Sequence, residues 1–154
     1  MGIKINYANI IKDFRGKYYF LSNFSPSKIE YDGYTYENAE AAFHAQKNSS
    51  TFYKYMMQFQ DPSTAKKEGR KVRLREDWEE VKDNIMYEIV KAKFTQDKLL
   101  RNKLLATKDA MLIEGNTWHD NYWGVCSCDR CKNKAHIDSN NLGEILMRVR
   151  EELR

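Results

Sequence analysis

Apolar residues recur at helical spacing over much of the chain. Across residues 77–95 (DWEEVKDNIMYEIVKAKFT), Trp78, Val81, Ile85, Ile89 and Phe94 keep one apolar face for about five turns, which predicts a long amphipathic helix capped by Asp77. Leu142, Ile145, Leu146, Val149 and Leu153 predict a closing helix over 142–153 in the same way. Residues 37–48 (ENAEAAFHAQKN) contain helix formers and neither Gly nor Pro, so a helix of about three turns is expected there. Ser49-Ser50 breaks it, and 51–60 predicts a short helix with Phe52, Tyr55, Met56 and Phe59 at spacings of three and four. Asp61-Pro62 is a helix start, with Asp as cap and Pro in the first turn, and that helix should stop near Gly69 or shortly after. A further helix is expected over 97–106.

β-type patterns are fewer. Residues 18–24 (YYFLSNF) and 29–36 (IEYDGYTY) are short, aromatic and β-branched. Asp32-Gly33 supplies the positive φ angles of a two-residue hairpin turn, with Tyr31 and Tyr34 facing one another. Residues 111–114 fit a short strand. Residues 115–140 then form a long polar loop holding all three Cys and two of the three Trp, and ordered loops of that length tend to be functional. No repeat or low-complexity linker divides the chain. The expectation is one α+β domain over 1–154, mostly helical, with a small N-terminal β-hairpin or sheet.

A chain of 154 residues buries enough surface to hold a core without metal or disulfide. No window approaches the roughly 20 apolar residues of a membrane span. The first ten residues lack a secretory pattern, so a cytoplasmic protein without membrane partners is expected. Net charge is only +4, from 26 Lys+Arg against 22 Asp+Glu. Its arrangement says more: Lys66, Lys67, Arg70, Lys71, Arg73 and Arg75 crowd one stretch against the single acid Glu68. A phosphate-bearing partner fits there, the plainer alternative being a solvated helix face. Cys126, Cys128 and Cys131 are an odd number within six residues, the wrong layout for a disulfide framework. They read as reduced thiols, or with His136 as a zinc clip, but the spacing departs from paired C-x-x-C and the second half of a zinc ribbon is absent. The expectation is no metal and no cofactor.

Two groups of residues can carry chemistry. In the 37–48 helix, Glu40, Phe43, His44 and Lys47 stand at i, i+3, i+4 and i+7 and so share one face. A carboxylate, an imidazole and an amine lie on that stripe; as exposed pairs they would be worth only a few tenths of a kcal/mol each. Residues 114–124 (EGNTWHDNYWG) group Glu114, Trp118, His119, Asp120, Tyr122 and Trp123, a mixture of ring faces, acids and a base suited to a planar heterocycle or a sugar.

Further residues carry a resemblance. Phe20-Leu21-Ser22-Asn23-Phe24, Ile29-Glu30-Tyr31-Asp32-Gly33 and residues 40–47 (EAAFHAQK) resemble the opening of the NADAR domain, the YbiA-like family. Ala65-Lys66 with Gly69-Arg70, residues 74–83 (LREDWEEVKD) with Met86, Lys91-Ala92-Lys93-Phe94, Leu104-Leu105-Ala106-Thr107, Tyr122-Trp123-Gly124 and residues 141–150 (NLGEILMRVR) are similar to its later motifs, in order. The cysteine segment departs from that pattern.

The resemblance implies an N-glycosidase acting on a small phosphoribosyl or ADP-ribosyl substrate. Two substrate classes are implied: ribosylamino-pyrimidine phosphates of riboflavin synthesis, and ADP-ribose on guanine bases of DNA or RNA. Breaking a ribosyl C–N bond builds positive charge on the sugar, which a carboxylate stabilises. Glu40, in the E-x-x-F-x-A-Q-K motif, is the first candidate. Lys47 would protonate the leaving base or attack C1 as an amine, and Asp120 and Asp83 are further acids. Lys66, Arg70 and Arg73 are candidates for phosphate, Trp118 and Trp123 for base or sugar. Asn23, Phe24, Trp78 and Gly124 complete the binding set. The competing readings are a non-catalytic ADP-ribose or nucleotide-binding module, a protein acting on modified bases in a polymer, and a partner-binding helical domain.

Overall fold

The structure, a computed structural model, describes residues 2–133 and 138–154. In chain order its elements are β1 (Asn6–Ile11), a 3-10 helix (Gly16–Leu21), β2 (Pro26–Tyr31), β3 (Tyr34–Asn38), α1 (Ala39–Ala45), α2 (Thr51–Met57), α3 (Pro62–Lys71), α4 (Trp78–Gln96), α5 (Lys98–Ala106), β4 (Ala110–Leu112), β5 (Gly115–Asn116), β6 (Val125–Cys126) and α6 (Asn141–Glu152). The fold is α+β. The chain divides into two compact units, Asn23–Leu100 and a discontinuous one of Met1–Ser22 with Arg101–Arg154.

In the Asn23–Leu100 unit, Asp32 and Gly33 take φ of +52° and +87°, so β2 and β3 close as an antiparallel hairpin with Tyr31 opposite Tyr34 and Ile29 opposite Tyr36. Ile29 and Tyr36 are fully buried and set the inner face. β3 runs on to Asn38, whose side chain accepts from Ala41 N at 2.7 Å and caps α1. The expected 37–48 helix is therefore shorter: its first two residues pair as strand, and it ends at Ala45 with Gln46 as C-cap. Asp61 caps α3 through Thr64, with Pro62 in the first turn. α4 buries Trp78, Ile85, Met86, Ile89, Val90 and Phe94, close to the predicted face. Asp77 stands before it without capping it: both carboxylate oxygens pair with Arg75, at 2.6 and 3.0 Å. Phe52, Tyr55, Met56 and Phe59 share helical spacing as expected, yet all four are exposed, and α2 buries Met57 instead.

In the other unit Gly16–Leu21 form a 3-10 helix that buries only Leu21, so the aromatic segment that begins at Tyr18 is not the strand its residue types suggested. β1 and β4 pair in parallel, and β5 pairs with β6, also in parallel. Asn140 joins α6 to this layer, its amide donating to Leu112 O at 3.0 Å and accepting from Glu114 N at 3.0 Å. Gly143 lies so close to Leu112 O that any side chain there would collide with it. Leu142, Leu146, Met147 and Val149 fill the α6 face. No helix among the described residues is long and apolar enough to cross a membrane.

Candidate active site

Glu40 sits in the first turn of α1, where its backbone N–H donates to Asn23 O at 3.1 Å. One turn on, the His44 ring approaches its carboxylate, with Nε2 to Oε1 at 2.8 Å. His44 is buried, and its Nδ1 has no hydrogen-bond partner among the described residues because it lies against Gly69 of α3. A proton on Nδ1 would have no acceptor, so the neutral ring carries it on Nε2 and donates it to Glu40. A Cβ at residue 69 would overlap Nδ1 of that ring, which is why glycine stands at this contact.

Gly69 also acts through its carbonyl, which accepts from Lys47 Nζ at 3.2 Å. Lys47 lies two residues past α1, half-buried, with its ammonium 5.9 Å from the centre of the Trp78 ring. Burial lowers its pKa from the ordinary lysine value. The Glu40 charge works against that, and Arg70 and Lys82 push it further down. Phe43 fills the space behind, 5.1 Å from Trp78 and edge-on to His44 at 5.4 Å. Trp78 is thus buried packing beneath Lys47 rather than an open ring face.

Of the remaining candidates in this unit, Lys66 lies 5.9 Å over the Phe24 ring, and Arg70 and Arg73 are exposed. Asn23 is buried, its amide on Met86 Sδ at 3.4 Å. Asp83 is exposed on α4. Shallow clefts open beside Arg73, Arg75 and Asn48, and beside Tyr31, Lys54 and Glu88; Glu40 and His44 line neither.

The loop candidates belong to the other unit. Asp120 Oδ1 accepts from Tyr122 N at 3.1 Å and Trp123 N at 2.9 Å, so this carboxylate shapes a turn. Tyr122 and Trp123 meet edge to face at 4.8 Å, and Trp118 is half exposed. Gly124 is buried where Glu114 O leaves no room for a Cβ. Cys126, Cys128 and Cys131 lie together as free thiols, and His136 falls outside the described residues.

The sequence profile of the NADAR domain matches residues 11–154. The chain belongs to the NADAR domain family. It is 38% identical over 135 residues to N-glycosidase YbiA of Escherichia coli (strain K12), covering 86% of this chain and 79% of that protein. It is 33% identical over 137 residues to riboflavin biosynthesis protein VVA0006 of Vibrio vulnificus (strain YJ016), covering 87% of this chain and 35% of that longer protein. The NMR structure of E. coli YbiA superposes with a TM-score of 0.78 at 34% identity, over 98% of this chain and 88% of the other. The protein is accordingly an N-glycosidase of the NADAR family.

The sequence placed His44 on the stripe with Glu40 but gave it no role of its own; the i, i+4 spacing was the signal for their contact. Gly69 read as a helix stop and as part of a family motif; its contact with His44 is tertiary and leaves no local trace.

Proposed function

We propose that this NADAR protein hydrolyses the ribosyl C–N bond of ribosylamino-pyrimidine 5'-phosphates, with Glu40 as the carboxylate that meets the sugar. The observation that carries this is the 2.8 Å contact between Glu40 and a buried His44 whose second nitrogen is closed off by Gly69. Such a carboxylate is held in place before substrate arrives, so little reorganisation is needed when charge develops at C1. The similarity to N-glycosidases and to a riboflavin biosynthesis protein supports the substrate class.

In this reading water adds to C1 as the C1–N bond breaks. Glu40 takes the proton from water, and the leaving nitrogen takes one from the Lys47 ammonium. A lysine with a lowered pKa is a stronger acid than usual, which suits that task. The same lowering increases the free amine, which suits the alternative in which Lys47 attacks C1 and the ribose opens as an imine. Lys66 and Arg70 supply charge for the 5'-phosphate, Arg70 through its planar fork. The free cysteines suit a reducing cytoplasm.

The exposed basic residues of α3, Lys67, Arg70 and Lys71, favour a second reading. They have room for more than one phosphate, as ADP-ribosyl guanine in nucleic acid would require. Parallel incubation of the purified protein with a ribosylamino-pyrimidine 5'-phosphate and with an oligonucleotide bearing ADP-ribosyl guanine tests both. Pyrimidine release that disappears in Glu40→Gln is the expected result. Release of ADP-ribose alone moves the substrate to nucleic acid, and tight binding without release makes the protein a binding module.

A further inference from the structure

We propose that His119, Cys126, Cys128 and Cys131 form a tetrahedral zinc site that ties together the loop carrying Trp118 and Trp123. One ligand atom from each of the four residues lies within 4.8 Å of all the others. Zn–S bonds of about 2.3 Å and Zn–N bonds of about 2.0 Å in a tetrahedron put ligand atoms about 3.5–3.8 Å apart. His119 Nδ1 stands 3.9 Å from Cys128 Sγ, near that separation. It stands 2.9 Å from Cys131 Sγ, a hydrogen bond that would open by less than about 1 Å as the metal replaces the proton.

The surroundings of the sulfurs point the same way. Cys126 Sγ accepts from His119 N at 3.2 Å and from Cys128 N at 3.4 Å, and Cys131 Sγ accepts from the Asn121 amide at 3.5 Å. Three N–H donors aimed at sulfur are what thiolate ligands need from their outer partners, whereas thiols packed as small apolar groups need none. His119 holds a left-handed backbone, φ +70°, an uncommon conformation for a residue with a side chain. That backbone turns its N–H onto one cysteine while its ring reaches two others. Cys128 and Cys131 are brought round by a tight turn, with Cys131 N on Cys128 O at 2.9 Å.

Three thiolates and an imidazole are a soft donor set that suits zinc. Four protein ligands leave no open position, so the site is structural and does not activate water. It has a local task. β5 and β6 are two residues long each and offer little to hold the segment between them, which contains Trp118, Asp120, Tyr122 and Trp123. His119 lies inside that segment and the cysteines beyond it, so the metal would cross-link both ends. The proposed set takes its imidazole from His119, seven residues before Cys126; His136, considered with the cysteines from the sequence, lies outside the described residues.

The test is metal analysis of the full-length protein purified from zinc-supplemented medium, with cobalt(II) substitution of the stripped protein. One zinc per chain is expected, together with the intense visible bands and sulfur-to-metal charge transfer of tetrahedral cobalt–thiolate. His119→Ala should bind zinc at least tenfold more weakly in competition with a chromogenic chelator, and His136→Ala should match wild type. Should Cys128→Ser fail to fold, His119→Ala and the cobalt spectrum still decide. Three results would overturn the proposal: protein that takes up neither metal at micromolar concentration, a disulfide among the three cysteines in metal-free protein, or full zinc retained in His119→Ala and lost in His136→Ala.

Discussion

Glu40 and His44 meet at 2.8 Å across one turn of α1, and the imidazole reaches that position with its other nitrogen sealed against the backbone of α3. A carboxylate on a surface helix ordinarily samples several rotamers; this one is 14% exposed in its side chain and has a buried donor on one oxygen. The first prediction concerns the pair directly. Glu40→Gln keeps the shape and still accepts from His44, so substrate binding should hold while kcat falls by roughly 10²-fold or more. Product release followed by chromatography checks it, and a loss within about threefold, roughly 0.7 kcal/mol, would remove Glu40 from the chemistry.

In the proposed mechanism His44 acts through Glu40. His44→Ala should lower kcat by about tenfold to 10²-fold with little change in KM, since a misplaced reacting group costs rate more than binding. Steady-state kinetics on protein shown by circular dichroism to be folded separates this from a loss of stability.

Gly69→Ala should disturb both neighbours of that residue. The added methyl meets Nδ1 and Cγ of the His44 ring and the His44 Cβ, and the side chain is buried. Overpacking of this kind costs roughly 1–3 kcal/mol, visible as a lower midpoint in urea, and kcat should fall with it. A variant with wild-type stability and rate would mean that α1 and α3 separate freely.

For Lys47 the sign follows from burial. Its folded pKa lies below that of the unfolded chain, so between the two values the unfolded form binds more protons and stability rises with pH. Below the folded pKa the charged amine stays desolvated and that contribution is constant. The basic limb of the rate profile should therefore sit below the ordinary lysine range and disappear in Lys47→Arg. Titration of the amine by NMR after isotopic methylation gives an independent value.

Arg70 is exposed beside Lys47, and its charge reaches that amine. If it grips phosphate, Arg70→Ala should raise KM about tenfold, near the lower end of what a charge-assisted hydrogen bond contributes, and leave kcat nearly intact. An unchanged KM would return the basic stretch to the status of a solvated helix face.

The hairpin about Asp32-Gly33, the cap at Asp61 and the buried face of α4 were legible because each depends on neighbours a few residues away. The shared face of Glu40 and His44 was legible for the same reason. What escaped depends on distant partners. α1 starts late because Asn38 pairs with Pro26 across the hairpin, and Asp77 fails to cap α4 because Arg75 occupies its carboxylate. The aromatics of α2 have the spacing of a core stripe, yet spacing alone does not say whether anything covers it. The approach of His119 to the thiols escaped as well: it stands seven residues before Cys126, in a left-handed backbone, with its ring 2.9 Å from Cys131 Sγ.

The parallel pairing of β1 with β4 has a consequence for how the molecule comes into being. Asn6 meets Ala110, so all of the Asn23–Leu100 unit is made between the two strands. On a ribosome β1 must wait, unpaired, until the whole of the Glu40-bearing unit has emerged. That unit is one uninterrupted stretch whose hairpin and helices close over short loops, and it can fold as it is synthesised. The order of birth is thus written into the topology: the unit with Glu40 first, the unit with the cysteine loop last, around a first strand that has been waiting since the start.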